Sequence, residues 1–171
     1  FGLDRCVFIF TDTQNEHTDT YRFKKDCEKW YGKKIETITA IGEGDCFKYQ
    51  SIEDVWFRYS SLNVAHGAIC STELKREVRE EWQKLSGQSH KSQVFGFEFL
   101  TNEFKRAFSL THNHADAKGI FPLLMYGMNK KDCIKYVQDA GIEIPIPNKL
   151  GARYNNCDKT GFVQAGIGYC Q

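Results

Sequence analysis

The chain has 171 residues, 41% of them hydrophobic, with 13 Phe, 8 Tyr and 3 Trp against 14 Gly and 3 Pro; such a composition can fill a core and excludes a disordered or low-complexity chain. At roughly 150 residues per domain, a single α/β domain is expected, with an irregular C-terminal segment over 149–171. Lys and Arg number 23 and Asp and Glu 22, so the net charge of +1 excludes a global field for nucleic acid or an anionic membrane and leaves only local patches.

Residues 5–12 (RCVFIFTD) form a short run rich in Val, Ile and Phe that ends in polar groups, as a buried strand does. Over 16–31 the apolar and aromatic residues Tyr21, Phe23, Cys27, Trp30 and Tyr31 fall near helical spacing, with Asn15 as N-cap and Gly32 as stop. Residues 34–40 alternate as a second strand before the turn at 42–45. Ser51 opens Ser-Ile-Glu-Asp, a capping-box start for a helix reaching Tyr59. The stripe Leu74, Val78, Trp82 and Leu85 predicts one helix over 70–85. Residues 94–100 (VFGFEFL) read as a third strand, and 130–141 as a helix carrying Cys133, Ile134, Val137 and Ala140. Pro145 and Pro147 are expected to stop regular structure, and from Lys149 onward the Gly, Asn and Tyr content suggests an ordered loop. Trp30, Trp56 and Trp82 sit on helical stripes and are read as core.

Strands alternating with helices predict a mostly parallel sheet with helices on both faces and a ligand site at the carboxyl ends of the strands. That puts residues 11–17 at the functional edge. The longest mostly apolar stretch, 119–128, falls well short of the roughly 20 residues a membrane span needs. Seven Cys, at 6, 27, 46, 70, 133, 157 and 170, form no CxxC, which fits a reducing, cytoplasmic compartment. The N-terminus, Phe1-Gly2-Leu3-Asp4, has neither an initiator Met nor a signal-peptide pattern, so an N-terminal segment is expected to be missing.

Asp12-Thr13-Gln14-Asn15, followed by Glu16 and His17, crowds polar groups where strand gives way to helix. They are either loop and cap or the reception of an anionic or polar ligand by a helix start. Cys70 to Arg76 (CSTELKR) places a thiol, two hydroxyls and two cations at a predicted helix start, read either as a phosphate cradle or as a capped, solvated surface. His112, His114 and Asp116 resemble ligand spacing but fit a solvated loop, and Glu103 with Arg106, after the expected third strand, reads equally as polar site residues or as an exposed i, i+3 ion pair.

Four ordered segments carry a more specific signal: FIFTDTQNEHTDTYRF, ICSTELKRE, GIFPLLMYGMNKKDCIKYVQDAGIEIP and LGARYNNCDKTGFVQAGIGY. Together they resemble the phosphoadenosine phosphosulfate reductase family, nearest its phage-type members, over residues 6–169. The resemblance implies a Rossmann-like, adenine nucleotide α-hydrolase-like fold, with the base near the end of the strand read at 5–12. It implies that Asp12, Thr13 and Glu16 face the nucleotide, that Lys75 and the adjacent Arg76 contact its anion, and that Asn155 and Asn156, with Cys157, form a loop packing near the site. Lys130 and Asp132 are read as structural.

The sequence departs from the family in three places. The family's Ser-Gly-Gly-type phosphate loop does not precede Asp12, and its backbone amides would be the main phosphate contacts. No second Cys closely follows Cys157, and Cys70, Cys157 and Cys170 match no cluster spacing, so neither an iron–sulfur cluster nor zinc is expected. The Glu-Cys-Gly nucleophile motif is absent, leaving Cys157 and Cys170 as candidate catalytic thiols. The leading expectation is an enzyme that reduces an adenylylated sulfate to sulfite with a thioredoxin-type dithiol and no cofactor. One alternative is an ATP pyrophosphatase of the same PP-loop superfamily, using Mg²⁺ and ATP to adenylate a substrate for sulfur transfer to nucleic acid. Another is a non-catalytic module that has lost the phosphate loop.

Overall fold

In the computed structural model, which describes residues 2–60, 63–64, 67–88 and 91–151, a 3₁₀ turn at Leu3–Arg5 leads into strand β1, Phe8–Thr11. The expected strand is thereby shortened at its N-terminal end. Helix α1, Thr18–Tyr31, follows and ends at Gly32, whose φ of +63° is the left-handed geometry a glycine supplies without strain. Its N-cap is His17, whose Nδ1 accepts from the Asp19 amide, and not Asn15. Strand β2, Ile35–Ile38, pairs in parallel with β1 in the register Phe8 with Ile35 through Thr11 with Ile38.

In the turn after β2 the Phe47 ring lies over Gly42, so that a Cβ there would stand 2.7 Å from it and the ring would have to turn aside. Helix α2, Ile52–Tyr59, opens with the expected capping box between Ser51 and Asp54. An antiparallel pair, β3 (Asn63–Val64) and β4 (Gly67–Ala68), precedes the next helical stretch. That stretch is the helix expected over 70–85, unbroken from Ile69 to Leu85 but with a π turn inside it. It runs as α3 (Ile69–Ser71), a π turn (Thr72–Arg76) and α4 (Glu77–Leu85).

The described residues group into two compact units, one running to Leu85 and resuming at Ile142, the other spanning Ser86–Gly141. The first contains a core of Ile41, Tyr49, Ile52, Val55, Ile69 and Leu74, with Trp56 packed against it. Leu85 ends α4 at 82% exposure and Trp30 is 39% exposed, stacked on Tyr31, so neither is the core residue its stripe suggests.

The second unit lacks the third strand expected over 94–100. Only an isolated parallel bridge joins Val94 to Ile120. The extended geometry survives locally, since Phe95 and Phe97 both stack on Phe121, but Pro122 has no N–H and starts a helix, so the ladder cannot lengthen. Helix α5, Thr101–Asn113, was not foreseen; α6 is Pro122–Met125, and α7, Lys130–Asp139, starts at a capping box between Asn129 and Asp132. In the first unit, Pro145 caps a single turn, α8 (Ile146–Lys149), where regular structure was expected to stop.

The architecture is mixed α/β with a two-stranded parallel sheet. No helix among the described residues is long and apolar enough to cross a membrane.

Candidate functional site

The carboxyl end of β1 is tied down residue by residue. The Asp12 amide donates to Ile38 O at 2.8 Å, continuing the pairing with β2. Asp12 Oδ1 accepts from the Gln14 amide and from Tyr21 OH, each at 2.8 Å. Burial, then the Asp12 carboxylate, pushes the Tyr21 hydroxyl well above its ordinary pKa, so Tyr21 stays a donor. Gln14 has a left-handed φ of +52°, and its side chain donates to Ile41 O at 2.8 Å, fastening this loop to the one after β2. Asn15 Nδ2 is buried without a hydrogen-bond acceptor among the described residues.

Thr13 and Glu16 are buried, and Thr13 Oγ1 donates to Glu16 Oε1 at 3.1 Å. The same carboxylate oxygen receives Lys75 Nζ at 3.0 Å; the Glu16 side chain is 2% exposed and that of Lys75 33%. A buried carboxylate needs a paired charge, and an ammonium has three donors, so Lys75 meets Glu16 and keeps capacity for a second acceptor.

Lys75 arrives by way of the π turn and not, as expected, from the first turn of a helix. The Glu77 amide donates five residues back, to Thr72 O. On an α-helix three consecutive side chains fan over about 200°, and the wider turn narrows that spread. Glu73 and Leu74 are thus both buried while Lys75, next in the chain, reaches Glu16 in the segment between β1 and α1. Arg76, its predicted companion, is exposed.

A second polar cluster lies behind the turn. Glu73 Oε2 accepts from Lys48 Nζ and from Tyr49 OH, both at 2.5 Å, and Oε1 accepts from Tyr59 OH at 2.7 Å. Burial would raise the Glu73 pKa, but these three hydrogen bonds outweigh it and hold the carboxyl below its ordinary range. Lys48 also pairs with Glu77 at 3.0 Å and lines a cleft of about 500 Å³, together with Gly42, Gly44, Tyr49, Asp54 and Arg58 among others. The cleft follows β2, on the carboxyl side of the parallel pair; Asp12, Thr13, Glu16 and Lys75 do not line it.

At the start of α1, Asp19 forms a two-pronged pair with Arg22, at 2.5 and 2.9 Å. Asp19 Oδ2 accepts from the Ile146 amide at 2.7 Å, and Arg22 Nη2 donates to Glu143 O at 3.1 Å. The hydrogen bond from Arg22 is the main reason the Asp19 pKa falls to about 2.

The structure therefore joins Thr13, Glu16 and Lys75 at one carboxylate, ties the Asp12 side chain to Gln14 and Tyr21 instead, and leaves Arg76 on the surface, while Asn155, Asn156, Cys157 and Cys170 lie outside the described residues. Lys48, Tyr49, Tyr59 and Glu73 went unseen in sequence, where no motif links a loop lysine, two tyrosines and a helical glutamate. Glu103, expected in an exposed pair, is buried and takes Arg106 Nη1 on both oxygens, at 2.8 and 2.9 Å. His112 is exposed and stacks on Phe108. Among the described residues no three His, Cys, Asp or Glu side chains gather as a metal site would require, and Cys6, Cys27, Cys46, Cys70 and Cys133 are free thiols. Comparison with protein-family models, curated proteins and solved structures finds no match.

Proposed function

We propose that the chain is an adenylyl-nucleotide-binding α/β domain of the phosphoadenosine phosphosulfate reductase type, with its parallel strand pair forming part of a Rossmann-like sheet. The observation that carries the reading is the 3.0 Å pairing of Lys75 with Glu16. Two motifs far apart in sequence, D-T-x-x-E after β1 and C-S-x-x-L-K before α4, converge at the carboxyl end of a parallel strand, where open α/β sheets bind ligands. We assign the bulk of the nucleotide to the 500 Å³ cleft after β2 and its anionic end to the free donors of Lys75, with Arg76 as a solvent-side cation.

In this reading a cysteine thiolate, Cys157 or Cys170, attacks the sulfur of the adenylylated sulfate. The bond from that sulfur to the bridging oxygen breaks, its electron pair leaves with adenosine bisphosphate, and the cysteine keeps the sulfonate. A thioredoxin-type dithiol then attacks the cysteine-side sulfur, releasing sulfite and ending as a disulfide after its second thiol resolves the mixed species. The setting is a reducing, cytoplasmic one.

Calorimetry with adenosine 3′,5′-bisphosphate, and in parallel with ATP and Mg²⁺, tests the reading. Saturable binding of the bisphosphate, weakened by roughly 1–3 kcal/mol in Lys75→Ala as for a charge-assisted hydrogen bond, is expected. No binding of either nucleotide overturns it, and tighter binding of ATP turns it toward the pyrophosphatase. Intact-mass analysis after exposure to the sulfonucleotide should find a sulfonate on one thiol; its absence would leave a binding module.

A further inference from the structure

Glu73 is a buried carboxylate with no bond to Glu16 among the described residues, yet it stands two residues from the lysine that pairs with it. Its three donors come from separate places: Lys48 and Tyr49 on the loop after β2, and Tyr59 at the last residue of α2. Each of its two oxygens is thereby satisfied, and the carboxylate can neither turn outward nor slide along the helix without stranding a charge in the interior. The next residue, Leu74, is fully buried in the apolar core. Between them they fix the rotation of the π turn, because an extra residue in a helical turn changes the direction of every side chain that follows.

We propose that Glu73 is a positioning residue: gripped by Lys48, Tyr49 and Tyr59, it holds the π turn in the register that delivers Lys75 Nζ to Glu16 and so to the ligand's anion. The part concerning the ligand rests on the nucleotide reading above; the part concerning Lys75 and Glu16 stands on geometry alone. A consequence is that the cleft and the π turn are joined through Glu73, since Lys48 and Tyr49 line the first and bind the carboxylate of the second.

The experiment is a three-residue cycle. The coupling of Lys75 with Glu16 is measured by urea unfolding of Lys75→Met, Glu16→Gln and the double variant, with Glu73 present and again in Glu73→Gln. A coupling of roughly tenfold in the unfolding constant is expected in the first background, within the range for residues in contact, and less than about twofold in the second. An undiminished coupling in Glu73→Gln, whatever its loss of overall stability, overturns the proposal, because a merely structural carboxylate would leave Lys75 in place. Where Glu73→Gln does not fold, Tyr59→Phe removes a single donor and carries the same test, with a reduced coupling expected and an unchanged one overturning. Calorimetry adds the ligand: Glu73→Gln should weaken adenosine 3′,5′-bisphosphate about tenfold with Lys75 present and not at all in Lys75→Met. Equal weakening in both backgrounds overturns the ligand part. If the unaltered chain binds no nucleotide, the functional reading falls and the coupling cycle still decides the role of Glu73.

Discussion

Lys75 Nζ lies 3.0 Å from Glu16 Oε1, joining the π turn to the carboxyl end of β1. The two partners are unequal, since the Glu16 side chain is 2% exposed and that of Lys75 33%. Removing the lysine strands a buried negative charge, whereas removing both charges leaves nothing to solvate. Lys75→Met should therefore cost about 1–3 kcal/mol of stability, below the range for a fully buried pair because the lysine is partly solvated, and Glu16→Gln added to it should restore much of the loss. Urea unfolding of the two variants checks this; a double variant less stable than Lys75→Met alone would show that Glu16 has a partner of greater weight.

Sequence reading reached the parts of this molecule that local chemistry dictates. The Ser51–Asp54 capping box, the Gly32 stop and the parallel order of β1 and β2 follow from side chains within a few residues of one another or from alternation of strand and helix. The pairing of Glu16 with Lys75 joins two distant segments, each of which the sequence marks only by its own crowding of polar groups. What stayed hidden depends on distant partners. Val, Phe and Phe at 94–97 look like strand because alternation says nothing of whether a neighbour can extend a ladder, and Pro122 forbids it here. Helix α5 is rich in Thr, Asn, Ser and His, poor helix formers, and buries Glu103 and Ala107 one turn apart. The π turn has no local signature; it is set by what Glu73, Leu74 and Lys75 meet.

Asp19 carries an acid-sensitive link between α1 and the segment entering α8. Its pKa is lowered to about 2 from an ordinary 3.8, so the folded state binds its proton less readily than the unfolded one. The stabilisation is fully present above pH 4 and is lost as the pH falls through 2. Asp19→Asn should be less stable at neutral pH by about 1–2 kcal/mol, the scale of a hydrogen bond to a charged group reduced by screening at the half-open arginine. The gap between the two proteins should close between pH 4 and pH 2 in denaturant titrations. A gap constant across that interval would mean the carboxylate's charge contributes nothing.

Ser51 Oγ accepts from the Asp54 amide, while Asp54 Oδ2 accepts from the amides of Ser51 and Gln50. Helix α2 carries Ile52 and Val55 into the core and Tyr59 to Glu73, so its entry angle sets both. Ser51→Ala should cost about 1 kcal/mol. Asp54→Ala, which leaves two amides unserved, should cost more. Thermal unfolding ranks the two, and the reverse order would place the main cap on the serine.

Leu74 and Leu85 belong to one apolar stripe in the sequence and to opposite environments in the fold. Leu74 is 0% exposed among Ile41, Val55 and their neighbours, whereas Leu85, at the last residue of α4, is 82% exposed. Truncating Leu74 removes buried methyl groups and leaves a void that the surrounding side chains fill only in part, so Leu74→Ala should cost about 2–5 kcal/mol. Leu85→Ala changes little that water does not already reach and should stay within about 0.5 kcal/mol. Equal destabilisation of the two variants in urea would contradict the opposite environments of the two leucines, one sealed in the core and one at an open helix end.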